Sequence, residues 1–345
     1  MSGSHPAHPT AWRPWRRTGR GHDQPPRVVD EPGKRTVLFF RDYRQFHGGH
    51  LKVRDYFDHV LTSTAFTPRI VFSPESVWDQ TNPWRDAREY VVDSRTTVHP
   101  ALVFVAGQDW RLLDRHPAAT ADIPIVNFLQ HIRHTEQSSA RYDFLRRRAV
   151  RICVSDEVAD AVRAAGISQG PIVVIPNGID LEHLPANAAA RPVDVLIAAV
   201  KQPERGTHLA KRLEAAGRRL DLVSTLLPRR AFIERIRQAR VTLFLPNKTE
   251  GFYLPALEGM ALGTLVVCPD CVGNRSFCLP GYNAFRPAYE NDAMLQAVEQ
   301  ALTLPRDDAR QMRDRARQMA KAHSLDRERE AFLTLLNGID QLWAP

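Results

Sequence analysis

Glu250 and Glu258 stand eight positions apart in the stretch TEGFYLPALEGMALGTLVVC, residues 249–268. Pro255 suits the first position of a helix, Gly263 suits the position past its last turn, and Leu254, Leu257 and Ala261 form the apolar stripe between them. The pattern predicts a helix opening at about Leu254, with Glu250 in the preceding turn and Glu258 one turn in, on the face near the helix mouth. The N–H groups of Gly251, Phe252, Tyr253 and Leu254 then lack intrahelical partners, and with the helix dipole they make a place for a phosphate. Carboxylates beside a phosphate repel it, by roughly 1 to 4 kcal/mol for a pair at 4 Å depending on the effective dielectric. The two acids must therefore be aimed at something else. A nucleoside diphosphate sugar fits: its diphosphate takes the amides, and the hydroxyls of the sugar and of the ribose each take one glutamate. In the bland alternative, Glu258 complements the helix dipole and Glu250 is a solvated loop residue.

The elements that must position this stretch are legible as short β-branched apolar runs. TVLFF (36–40), RIVFS (69–73), ALVFVAG (101–107), IPIVNF (123–128), RICVS (151–155) and PIVVIP (171–176) read as buried strands. Helix-length segments at 51–61, 136–148 and 156–165 fall between them, the last with Ser155 as N-cap. After the Ala-rich PANAAARP (185–192) the alternation restarts: strands at 193–200, 220–224, 241–246 and 264–268, and helices at 206–217, 229–239 and in the quoted stretch. Residues 292–342 read as two or three helices. Alternating strands and helices imply parallel sheets covered on both faces. The expected fold is α/β, two Rossmann-like lobes facing across a cleft: residues 36–185, residues 186–325, and a C-terminal helix in 326–345 packing back toward the first lobe. Ligands in such sheets bind at the carboxyl ends of the strands, so the cleft is the expected site.

The quoted stretch closely resembles the E-x7-E motif of family 4 retaining glycosyltransferases, which have the GT-B fold, and three more segments align in the same order. ICVSDEVADAV (152–162) with VIPNGID (174–180) is similar to the end-of-first-lobe signature, VKQPERGTHLAKRL (200–213) to the basic donor loop, and FHGGHLKV (46–53) to the glycine-rich loop after the first strand. The resemblance covers about residues 36–340. It implies a sugar nucleotide as co-substrate, with Lys201 and Arg205 neutralising the departing diphosphate and Gly48 and Gly49 admitting its close approach. It also implies Gly251, Phe252, Tyr253, Leu254, Glu258 and, less directly, Asn274 as donor contacts. A histidine near the donor sugar is common in the family; in NFLQHIRH (127–134) His131 takes that place, with His134 as the alternative. Tyr253 departs from the family by bringing a bulky ring near where the sugar would lie.

Cys268, Cys271 and Cys278 form C-x2-C-x6-C, which lacks a fourth ligand at zinc-site spacing, and no Asp-x-Asp is present to hold a cation on a diphosphate. Metal-independent chemistry without a further cofactor is the expectation. Hydrophobic and charged contents of 43% and 25% are those of an ordinary globular chain, with no apolar run long enough to span a bilayer. A cytoplasmic protein is expected. Of the net charge of +8, half falls in residues 1–35, where seven Lys and Arg face three Asp and Glu in a Pro-, Gly- and His-rich context that reads as a disordered tail. That tail and the basic FLRRRAVR (144–151) leave peripheral contact with an anionic membrane open; nucleic acid is the weaker partner. The acceptor is not named by the sequence, though the aromatic-rich segment 73–90 is suggestive. A noncatalytic binder acting through its basic surface and a nucleotide-sugar epimerase of the same fold are the competing readings.

Overall fold

A computed structural model describes residues 33–93, 98–120, 122–186, 188 and 190–344. The basic tail proper, residues 1–32, lies outside the described residues. Six parallel strands form the first sheet in the order β2-β1-β3-β4-β5-β6: β1 (Arg35–Arg41), β2 (Phe66–Phe72), β3 (Leu102–Ala106), β4 (Ile125–Leu129), β5 (Val150–Cys153) and β6 (Ile172–Val174). They carry α1 (Gly48–Leu61), the short α2 (Trp110–Leu113) and α3 (Asp156–Ala164). The second sheet has the order β10-β9-β7-β8, again all parallel, from β7 (Val193–Ala198), β8 (Leu220–Val223), β9 (Ala239–Phe244) and β10 (Leu265–Val267). Its helices are α4 (Pro203–Ala215), α5 (Arg229–Arg237) and α6 (Leu254–Ala261), followed by α7 (Asn291–Thr303), α8 (Arg306–Ala322), α9 (Leu325–Asn337) and α10 (Ile339–Trp343). The two-lobed α/β architecture expected from the sequence is present, and the C-terminal region makes four helices where two or three were expected.

The inner strands of both sheets, such as β1, β3 and β9, are buried on both faces over most of their length, which is why the sequence shows continuous apolar segments rather than alternation. In the first lobe Phe39 stacks on Phe104 at 4.7 Å, and Tyr56 of α1 meets Phe128 at 4.5 Å and Phe332 of α9 at 4.6 Å. Burying a ring such as Phe332 contributes about 1.5–3 kcal/mol, so α9 is fastened to the first lobe by its apolar face. The chain end is held there too: Arg35 makes a bidentate pair with Asp340, and Arg148 lies 4.2 Å over the Trp343 ring.

The helix expected at 136–148 does not form; two short 3-10 turns, Ile132–Thr135 and Asp143–Arg146, replace it. Ser139 explains the break, since its hydroxyl accepts from the Arg141 N–H and offers the backbone an alternative to the helical ladder. The arginines that follow are not a free patch. Arg147 pairs with Asp114, and Arg151, fully buried, donates to Asn127 Oδ1 and to the Leu145 and Phe144 carbonyls. Residues 73–90 likewise turn rings inward: Trp84 is fully buried beneath Phe72, and Arg88 covers the Trp78 ring at 4.2 Å.

The lobes are joined at two crossings that lie against each other. Ile179 N–H donates to the His323 carbonyl (2.8 Å) and Leu325 N–H to the Ile179 carbonyl (3.0 Å). Beneath them Glu328 of α9 accepts from the Gly178 N–H (2.5 Å), pairs with Lys52 of α1, whose Nζ lies 2.8 Å from Oε1, and meets His59 Nε2 at 2.9 Å. Lys52 also reaches the Gly178 carbonyl and Asp55. Burial alone would push the Glu328 carboxyl up, but Lys52 and His59 outweigh it and hold it below the ordinary value. An ionised cluster thus sits where the lobes hinge.

Candidate active site

In each sheet the strand order reverses once, at β1/β3 in the first and at β7/β9 in the second, and the carboxyl ends beside those reversals face each other. Ala198 of β7 is in register with Phe244 of β9, so the loops leaving the two strands run side by side. Gln202 Nε2 donates to Asn247 Oδ1 at 3.1 Å, and Lys201 Nζ forms an ion pair with Glu250. The Glu250 side chain is 14% exposed and that of Lys201 43%, so the pair stands at the cleft surface rather than within the core. Arg205, in the first turn of α4, lies over the Tyr289 ring at 5.0 Å and donates to Asn291 Oδ1 at 3.2 Å.

The first lobe meets this arrangement through the loop after β4. His131 and Glu250 pair as an isolated antiparallel bridge, and the Ser155 hydroxyl donates to the Gly251 carbonyl at 3.3 Å. His131 Nδ1 accepts from the Arg133 N–H at 3.1 Å, which leaves the proton of the neutral ring on Nε2. Burial and then Arg133 hold its pKa below the ordinary value, with Glu250 opposing. The imidazole is thus a neutral donor beside a carboxylate. His134, three residues on, is buried, with burial and Arg141 pushing its pKa down to about 3. The structure brings His131, and not His134, to Glu250. Gly48 and Gly49 open α1 across the cleft, with no acid in its first turn, and Gln130 Nε2 donates to the Gly49 carbonyl at 3.2 Å.

Helix α6 begins at Leu254 with Pro255 in its first turn. Among the described residues, the Phe252 and Leu254 N–H groups reach no backbone carbonyl, whereas the Tyr253 N–H donates to the Gly273 carbonyl at 2.8 Å. Tyr253 is therefore not the free amide expected of it. Its ring does not project over the helix mouth either: it is buried, edge-on to Phe244, with Lys201 Nζ 5.8 Å above it. Phe252 packs on Phe277 at 5.1 Å.

Of the expected donor contacts, Asn274 is corrected and Glu258 is covered by a partner. Asn274 is fully buried, and both ends of its amide are used: Oδ1 accepts from the Cys271 N–H, and Nδ2 donates to the Pro269 carbonyl at 2.9 Å and to Cys268 Sγ at 3.1 Å. It staples a loop and offers nothing to a ligand. Glu258 does not open on the helix mouth; it is 3% exposed, and Arg229 at the start of α5 closes over it as an ion pair, off the angle of a hydrogen bond. Burial raises the Glu258 carboxyl and Arg229 opposes the shift.

Residues 85–183 match the family described as Glycosyltransferase Family 4, and residues 222–319 match Glycosyl transferases group 1. The first match ends at the crossing between lobes and the second spans the E-x7-E stretch. The chain is a glycosyltransferase of the family 4 type, with the GT-B fold. Among solved structures it is similar to sucrose-phosphate synthase from Thermosynechococcus elongatus, at 12% identity and a TM-score of 0.68, over 89% of this chain and 100% of that one. It is similar to HepE from Anabaena in complex with UDP and glucose, at 13% and 0.69, over 88% and 100%. A glycosyltransferase from Rickettsia africae gives 13% and 0.69, over 89% and 99%. At these identities the likeness is one of fold. No curated protein matches the chain significantly.

Several residues of this glycosyltransferase's cleft carry no sequence signal of their own. Gln130, Arg229, Asn247 and Tyr289 act through partners far along the chain, as when the Tyr289 hydroxyl donates to the Pro246 carbonyl. Gly251 did carry one. A Cβ there would lie 2.1 Å from the Gln130 carbonyl oxygen, so backbone must pass against backbone where the lobes touch. The cysteines are free and buried, and no cluster of His, Cys, Asp or Glu among the described residues is arranged around a cation position.

Proposed function

We propose that the chain transfers a sugar from a nucleoside diphosphate sugar to an acceptor hydroxyl with retention at the anomeric carbon. The observation that carries this reading is the Lys201–Glu250 ion pair beside His131, at the carboxyl ends of both sheets and at the mouth of α6. Lys201 and Arg205 would take the charge that builds on the diphosphate as the glycosidic bond breaks, joined by the Phe252 and Leu254 amides and by the start of α1 at Gly48 and Gly49. Such fixed cations and dipoles lower a barrier because they do not reorganise as charge develops.

Glu250 would accept from the sugar hydroxyls, and His131 would donate a hydrogen bond from its Nε2–H to a sugar oxygen as the ring carbon becomes electron-poor. A neutral imidazole suits that task, since a second positive charge beside an oxocarbenium-like ring would oppose the reaction. Glu258 would receive the ribose hydroxyls once Arg229 swings aside. In this reading the leaving group is stabilised by protein cations and amides, with no metal or further cofactor required. HepE is described in complex with UDP-glucose, which makes uridine the first base to try. Among the described residues no helix is long and apolar enough to cross a membrane, in keeping with a cytoplasmic enzyme that reaches any lipid-linked acceptor from one side.

The test is thermal unfolding against UDP, GDP and ADP, paired with a donor-consumption assay. Saturable stabilisation by one nucleotide and turnover of its sugar conjugates are the expected results; silence toward all three, with no consumption, would leave a noncatalytic binder.

A further inference from the structure

At the opposite end of the second sheet from the cleft, Val241 of β9 and Leu265 of β10, which are in register, floor a cavity of about 290 Å³. Its walls are apolar at Leu302, Leu304 and Ala309, where α7 gives way to α8, and cationic at Arg240, Arg306 and Arg313. This size approaches the lower end of small-molecule pockets, and an apolar bed with a few convergent charges is their usual lining.

The cations there are poorly answered. Arg240 meets Asp194 at 3.2 Å, a carboxylate that Arg219 also holds at 2.8 Å, and reaches the Leu302 carbonyl at 3.4 Å. Arg306 and Arg313 have neither a hydrogen bond nor an ion pair among the described residues, and Arg313 Nε is buried without a partner. The acids of the first turn of α8, Asp307 and Asp308, face away and line a separate hollow with Tyr282 and Gln311. Nearby Arg317 pairs with Asp314, and Arg191 donates to the Leu262 carbonyl at the end of α6, so those two are accounted for by the fold. Burial, then Arg317 and Arg240, push Arg313 below its ordinary pKa, the mark of cations crowded without a counter-charge. The buried Arg313 donor without an acceptor is costly unless something negative enters the hollow, and Arg306, exposed at its rim, adds a cation with no counter-charge among the described residues.

We infer that this cavity is a second ligand site, separate from the donor cleft, for the phosphate group of a small phosphorylated molecule or of a lipid headgroup. Arg306 and Arg313 would grip the phosphate in forked hydrogen bonds, with Arg240 behind them and the apolar walls taking the carbon skeleton. The distance along β9 from Val241 to the strand end at Phe244 is roughly 10 Å, so the two sites cannot share one ligand phosphate.

The experiment uses the full chain carrying Lys201→Ala, which weakens the cleft's own response to anions, with and without Arg306→Gln and Arg313→Gln. Inorganic phosphate is titrated at constant ionic strength and followed by calorimetry and thermal midpoint. The expected result is millimolar binding that weakens at least 10-fold when both arginines are replaced, while UDP binding to the Arg306→Gln, Arg313→Gln double variant with Lys201 intact is unchanged relative to the wild type. Phosphate affinity equal in the two proteins, or absent from both, overturns the site whatever becomes of the donor reading. Sedimentation with phosphatidylcholine vesicles containing phosphatidate separates the sources: arginine-dependent pelleting marks a headgroup, and arginine-dependent phosphate binding without pelleting marks a free metabolite.

Discussion

Gly251 and Gln130 touch backbone to backbone: a single added carbon on Gly251 would stand 2.1 Å from the Gln130 carbonyl oxygen and 2.9 Å from the His131 Cα. This contact sets how closely Glu250 approaches His131, because the two pairs are adjacent in both segments. Gly251→Ala must push the lobes apart or twist the turn. The expected outcome is at least a 10-fold loss in kcat with a smaller change in thermal midpoint, since displacements of about 1 Å can cost 100-fold in rate. Steady-state kinetics beside a melting curve check it, and unchanged turnover would show that the contact does not position the site.

Lys201→Ala and Glu250→Ala each remove half of the ion pair at the cleft surface. Because the Lys201 side chain is 43% exposed, the effect on folding should stay within about 1 kcal/mol. Turnover in a donor-consumption assay should nevertheless vanish in both. Near-wild-type activity in either variant would refute the assignment of that residue.

Glu258→Gln tests the division of labour between the acids. UDP-induced stabilisation should fall while stabilisation by pyrophosphate persists, because ribose contact is lost and phosphate contact is not. Equal responses of wild type and variant to both probes would reduce Glu258 to a structural partner of Arg229.

Glu328→Gln leaves Lys52 buried with only Asp55 for a counter-charge. Breaking one partner out of a buried pair costs about 3–5 kcal/mol, to be read from urea unfolding at neutral pH. Since the Glu328 carboxyl is held below its unfolded value, the stabilisation it gives is complete above the ordinary carboxylate range and is lost as pH falls through the native value. The variant should show a flatter stability profile on that acid limb, whereas equal profiles would mean that Glu328 is not ionised in the native state.

His134 is buried and neutral, with a native pKa of about 3 against 6.5 when exposed. Below pH 6.5 the unfolded chain binds a proton that the native ring refuses, so stability falls as the solution is acidified, by roughly 2 kcal/mol at pH 5. His134→Asn should remove that part of the slope between pH 6.5 and pH 5 in denaturant titrations, with a lower plateau at pH 7 as the cost of repacking. A slope as steep as the wild type's would place the proton uptake elsewhere.

The sequence by itself determined the ten strands, the opening of α6 at Leu254 and the order of the two lobes. Those features rest on local physics: continuous apolar runs for strands buried on both faces, and a proline and a glycine bracketing a short helix. It failed at 136–148, where helical spacing was outweighed by a serine hydroxyl bonding to the backbone. Tertiary structure alone decided that His131 rather than His134 meets Glu250, that Arg229 covers Glu258, that Asn274 is spent on its own loop, and that arginines from β9 and α8 converge on one cavity. Each of these depends on which chemical groups the lobes bring together from positions tens or hundreds of residues apart, and spacing along one chain carries no record of that.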